Sequence, residues 1–148
     1  MYSGMTPKAL GWQKKVRNFV NDELIPWEVH AEMNNGELPI EIEKKHKNIA
    51  LSMGLAGMGI SKESGGLGLN YFEQMIIWEQ LGRVTNALCW CFPEVQDWMT
   101  KNFSKYQKEK YLLPLLKGDK RECYAITEKG AGSDVDGSIE STAEKKDD

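Results

Sequence analysis

The 148 residues carry a net charge of -3, with 41% hydrophobic and 28% charged side chains, ordinary globular usage in a chain long enough for one domain with a buried core. That charge, with no basic block, argues against a nucleic-acid binder, which needs a cationic face for phosphates. No run of eighteen apolar residues is present to span a membrane, and Cys89, Cys91 and Cys123 form no CxxC pair while His30 and His46 are the only histidines, so no metal site is expected.

From Pro7 to about Glu32, Leu10, Val16, Phe19, Val20, Leu24 and Trp27 recur at helical spacing, with Thr6 as N-cap and Pro26 expected to kink the helix. A second helix is expected from Pro39 to Met53, stopped by Gly54 in the left-handed region. His46 lies on or beside its apolar face and is read as structural. The stretch "GLAGMGISKESGGLGL", residues 54–69, has too many glycines for a helix and lacks the Lys-Ser/Thr ending of a phosphate-binding P-loop. It is read as an ordered loop. Asn70 and Glu73 form a capping box for a third helix. A fourth, "ALCWCFPEVQDWMTKNF", is apolar almost all round, as a buried helix would be, with Pro93 marking a restart. Ser104 and Gln107 cap a fifth, which Gly118 ends.

After Gly118 the period changes. Glu122–Glu128 reads as a strand and "GSIESTAEKK" as a second, though two strands have little partner surface. The fold expected is mainly α: an up-and-down bundle of about five helices over residues 1–120, then the first strands of an incomplete β domain over residues 121–148.

From within the first of these strands into the bend after it runs "YAITEKGAGSD", Tyr124–Asp134. Small residues allow close approach of a ligand, successive N–H groups can aim at oxygens, and a hydroxyl adds a directed donor. Gly130-x-Gly132 is not a dinucleotide fingerprint, because Val135 takes the place of the third glycine. Weighed against a ligand cradle, composition alone favours a simple turn, because Gly, Ser and Asp dominate turns anyway.

The longer stretch "YAITEKGAGSDVDGSIESTA" resembles the flavin-contacting signature of the acyl-CoA dehydrogenase family. "GLAGMGISKESGGLGLNYFEQMIIWEQLGR" and "YQKEKYLLPLLKGDK" are similar to the family's loop with its third helix and to the helix before its first strand, in the family's order. The resemblance implies an N-terminal helical domain, a β domain and a C-terminal four-helix domain in a homo-oligomer. It also implies FAD as cofactor, an acyl-CoA as substrate, and electron-transfer flavoprotein or another acceptor as partner. In that reaction a glutamate removes the α proton and the β hydrogen leaves as hydride.

By position, the resemblance puts Tyr124, Ile126 and Thr127 along the isoalloxazine ring, and brings Gly132 and Ser133 to the pyrophosphate, Ser133 also touching substrate. Trp90 and Pro93 fall in the helix that would wall the acyl chain. Trp90 has two readings, an acyl-pocket wall or a core residue. Lys129 stands where the family usually has Pro, and Ser61-Lys62 where Pro-Glu is common.

The resemblance places the catalytic glutamate and the second flavin-binding segment beyond Asp148, so no residue here is expected to be catalytic and the chain is expected to be inactive alone. The alternative is a non-catalytic helical module that pairs with itself or with another dehydrogenase subunit. Without a leader pattern, a cytoplasmic setting is expected, or the mitochondrial matrix for a mature eukaryotic form.

Overall fold

A computed structural model describes residues 5–145 of the chain. Thr6 caps helix α1 (Pro7–Phe19), its side chain accepting the Ala9 N–H at 3.1 Å. A π-helical turn (Val20–Leu24) and a 3-10 turn (Ile25–Trp27) then lead into α2 (Glu28–Met33). The kink expected at Pro26 takes this form for a steric reason. A proline ring collides with the carbonyl four residues back, and the wider π turn relieves the collision. The same device recurs where a π turn (Lys108–Leu112) leads to Pro114.

Helix α3 (Ile40–Ser52) begins after Pro39 and stops at Gly54, whose φ is +79°. Helix α4 (Tyr71–Leu81) carries the expected capping box: Asn70 accepts the Glu73 N–H at 2.9 Å and Glu73 accepts the Asn70 N–H at 3.1 Å. Helices α1 and α4 pack lengthwise. Two polar ties fix their register. Lys8 pairs with the buried Glu73 carboxylate at 2.9 Å, and Arg17 Nε donates to Gln80 at 2.9 Å. Along this contact Val16, Phe19 and Val20 join Ile77 and Leu81 in one core that also takes in Leu24, Ala50, Met53 and Phe92.

The glycine-rich stretch 54–69 is ordered, as expected, and much of it is buried. Leu55, Ala56, Met58, Ile60 and Leu69 lie in the interior. The chain folds back so closely that Leu67 N–H reaches the Gly57 carbonyl at 3.0 Å and Gly68 N–H the Ile60 carbonyl at 2.7 Å. A Cβ on Gly66 would stand 2.2 Å from the Ile60 carbonyl oxygen, so only glycine fits there.

The fourth helix expected over the apolar run from Asn86 does not form. Asn86 and Ala87 take positive φ of 52° and 55°, which a continuous right-handed helix excludes. A 3-10 turn (Leu88–Trp90) follows, then irregular chain through Pro93, and only α5 (Asp97–Asn102) is helical. The chain continues into α6 (Lys105–Gln107), with the Ser104–Gln107 capping box in place, and α7 (Leu113–Lys117), ended by Gly118 at φ +74°. A second small core of Ile60, Val95, Leu112 and Leu115 ties these pieces to the glycine-rich loop.

The protein is mainly helical, as expected. The two expected strands are absent among the described residues. Residues 121–127 are irregular, and one bridge pairs Glu128 with Ala131. The expected second strand instead contains the short helix α8 (Val135–Ser138) and irregular chain, and its closing Lys146 lies outside the described residues. The physical reason is the missing neighbour: a strand needs a partner ladder to satisfy its backbone.

His46 is 1% exposed, as a structural reading requires, with its Nε2 atom unpartnered. Burial pushes the imidazole below its ordinary 6.5, against an opposing pull from Glu23 and its backbone. The neutral ring is therefore the folded form. Below pH 6.5 the unfolded chain takes up the proton more readily, so stability is full above that value and falls as pH drops beneath it.

Two outcomes are expected. Gly66→Ala should lower unfolding stability by about 2–3 kcal/mol or more. Gly11→Ala, on α1 with nothing within 4 Å of the added carbon, should raise it by roughly 0.5–1 kcal/mol; urea melts check both. In thermal melts, wild type should lose more stability than His46→Gln between pH 7 and pH 5.5, and parallel slopes would exclude His46 as the titrating group.

Candidate functional site

Where the fourth helix fails to form, a cleft opens beside the irregular segment. Leu88, Phe92, Pro93 and Val95 anchor the irregular segment inward, and the Val95 N–H donates to the Ala56 carbonyl at 2.9 Å. Trp90, between these anchors, is left outside and is 71% exposed. Its core reading is therefore overturned. Also lining the cleft is the irregular stretch 121–124, tied back by the Glu122 carboxylate, which accepts the Glu94 N–H at 2.7 Å.

The cleft has a volume of about 660 Å³, within the range of small-molecule sites. Trp78, stacked on Phe92 with centroids 6.2 Å apart, contributes to one wall, and Trp98, held edge-on by Phe103, to another. Tyr124, 85% exposed, and Arg121 complete the rim. Of the residues singled out from sequence, Trp90 and Tyr124 are thus brought together. Ile126 is half-buried, while Thr127, Gly132 and Ser133 are exposed, and none of these four lines the cleft.

The bend beyond the cleft is built by its own carboxylates. Glu128 and Ala131 exchange backbone hydrogen bonds at 3.1 Å, which turns Lys129 and Gly130 outward. Glu128 also accepts the N–H groups of Glu140 and Ser141 at 2.9 and 3.0 Å. Hydrogen bonds from Ser141 and the Glu140 backbone hold its carboxyl below the ordinary range. Asp134 caps α8 by accepting the Gly137 N–H and the Ser138 hydroxyl. Both acids are occupied in structure.

Gly130 and Gly132 behave differently from Gly66. Neither has a positive φ, and a Cβ on either would meet nothing within 4 Å. The chain itself therefore gives no steric reason for glycine at these two places, whereas a flat or anionic group lying against the turn would give one. The residues present fit such a group along one side.

Two features escaped sequence reasoning. Trp98 and Arg121 join the cleft, and the signal for Trp98 lay in its eight-residue separation from Trp90 on a run read as one buried helix. Of the cysteines, Cys89 lines the cleft and burial raises its thiol, while Cys91, outside the cleft, is pushed up by burial to about 12, so neither forms a thiolate readily. Among the described residues no group of three or more His, Cys, Asp or Glu side chains is arranged to hold a metal ion. Nor is any described helix long and apolar enough to cross a membrane.

Residues 6–119 match the family described as acyl-CoA dehydrogenase, N-terminal domain. A 3-(aryl)acrylate reductase of Clostridium sporogenes is 31% identical over 140 residues, 92% of this chain and 36% of that protein. A short-chain specific acyl-CoA dehydrogenase of Clostridium acetobutylicum is 32% identical over 82% of this chain and 32% of its own length. The caffeyl-CoA reductase-Etf complex subunit CarC of Acetobacterium woodii is 30% identical over 84% of this chain and 33% of its own. The chain thus spans about a third of the length of these curated relatives. With the capped helices and the glycine-rich loop falling inside the matched residues, the chain belongs to the acyl-CoA dehydrogenase family, in its N-terminal domain.

Proposed function

We propose that the chain forms the helical N-terminal part, residues 1–120, and the opening of the β domain, residues 121–148, of an FAD-dependent dehydrogenase acting on the α,β bond of an acyl-CoA. The match over residues 6–119 carries this reading. FAD, when bound, supplies the hydride acceptor in this chemistry. The contribution of the chain is to bind and orient. Tyr124 and Ile126 lie along the ring, and Thr127 donates its hydroxyl toward the ring's polar edge, where fixed donors favour developing negative charge. Gly132 allows close approach of the pyrophosphate, and Ser133 donates to cofactor and substrate.

No side chain here takes the α proton. Glu122 and Glu128, the acids nearest the bend, are held by backbone N–H groups. By the family resemblance the base comes from sequence outside this chain, and the chain alone is catalytically silent. A homo-oligomer and an electron-transfer flavoprotein or similar acceptor belong to the same proposal. The CarC relative, named as part of an Etf complex, supports that kind of acceptor.

Purified chain given FAD, an artificial electron acceptor and a panel of acyl-CoAs should show no turnover, and turnover would overturn the assignment of the base. In a flavin-fluorescence titration, Gly132→Ala should weaken FAD binding by roughly 10-fold, about 1.4 kcal/mol, with unfolding stability unchanged or slightly raised. Thr127→Ala should weaken it by roughly 3- to 10-fold, the loss of about one hydrogen bond. Unchanged affinity in both variants would refute the placement of the flavin.

A further inference from the structure

We propose that the cleft between Trp90 and Tyr124 is built for a planar aromatic acyl group rather than a flexible aliphatic chain, an inference that rests on the acyl-CoA reading above. Three of the five tryptophans of the chain, at positions 78, 90 and 98, line this one cleft. Trp90, Trp98 and Tyr124 are 71%, 52% and 85% exposed. Trp90, Trp98 and Tyr124 stay outside the core, although Leu88 and Phe92 on either side of Trp90 are buried. An apolar wall for an alkyl chain needs only surface area, which Leu, Met or Ile supplies equally well. Rings facing a cleft add a geometric preference, because π systems favour offset-stacked or edge-on partners.

Two of the rings are held by neighbouring aromatics before any ligand arrives. Trp98 stands edge-on to Phe103 at 5.5 Å and 85°, and Trp78 stacks on Phe92 at 28° between planes. Two ties on its C-terminal side hold the segment carrying Trp90: the Val95 N–H to the Ala56 carbonyl at 2.9 Å, and the Glu94 N–H to the Glu122 carboxylate at 2.7 Å. A rigid planar ligand entering a preformed aromatic slot orders few bonds on binding, whereas an alkyl chain must freeze many. Arg121 stands at the rim. Among the described residues it makes no ion pair with a carboxylate, so its guanidinium is available to the phosphates or another anionic end of the ligand.

Equilibrium dialysis of the full chain with 3-phenylacryloyl-CoA and with nonanoyl-CoA, which have equal acyl carbon counts, tests the inference. The aryl thioester should bind roughly 10-fold tighter, the scale of one or two aromatic contacts. Trp90→Ala should remove most of that preference and leave nonanoyl-CoA within about 3-fold, while Trp90→Phe should retain it. Trp90 is exposed, so both variants should fold, and far-UV circular dichroism verifies that. Equal affinity for the two thioesters would sink the aromatic slot while leaving the acyl-CoA reading intact. Failure to bind either thioester would refute both. Displacement of the aryl thioester by FAD would assign the slot to the flavin ring and equally overturn the inference.

Discussion

Everything that positions the cleft depends on one close backbone approach. At Gly66 the chain comes so near Ile60 and Gly57 that a single added carbon would overlap a carbonyl oxygen. This contact folds the stretch 54–69 into a compact knot whose outer carbonyls remain available to other segments. Ala56 uses its carbonyl to hold Val95, and Val95 in turn fixes the irregular segment that presents Trp90. Relaxing the knot would release the cleft wall. The glycines are therefore as much part of the site's construction as the aromatic rings at its surface, although none of them is proposed to touch a ligand there.

The α1–α4 pair gives the knot its support. Glu73 is used twice, capping its own helix and pairing with Lys8 from α1, so that a local signal becomes a long-range tie. Hydrogen bonding from Lys8, with a further contribution from the Asn70 backbone, holds this carboxyl below the ordinary range. A buried acid satisfied on two sides does not carry an unpaired charge into the core. The same economy explains why neither Glu122 nor Glu128 is free to act as a base. Both carboxylates work as backbone clamps.

What was legible in the sequence was what is local. Thr6, Asn70 with Glu73, and Ser104 with Gln107 announce helix starts through hydrogen bonds that span three residues, and Gly54 and Gly118 announce stops through a conformation that favours glycine. The run from Asn86 was misread because an all-round apolar segment looks the same whether it forms a helix or threads irregularly through a core. Only its two left-handed residues and Pro93 separate the cases. The strand expected at Glu122–Glu128 depends on a neighbour that local pattern cannot supply. Of the candidate site, Trp90 and Tyr124 were readable individually, whereas their convergence with Trp98 and Arg121 was not, since it arises from tertiary ties between the loop, the irregular segment and the stretch after Gly118.

The central claim is that this convergence is a ligand site. Indole N–H resonances in a heteronuclear NMR spectrum report on it directly, because the five tryptophans divide cleanly between the cleft (Trp78, Trp90, Trp98) and the remainder (Trp12, Trp27). On adding an acyl-CoA, the resonances of Trp90 and Trp98 should shift together in a saturable way, while those of Trp12 and Trp27 stay in place. Shifts confined to Trp12 and Trp27, or none at ligand concentrations that saturate the protein, would contradict the account.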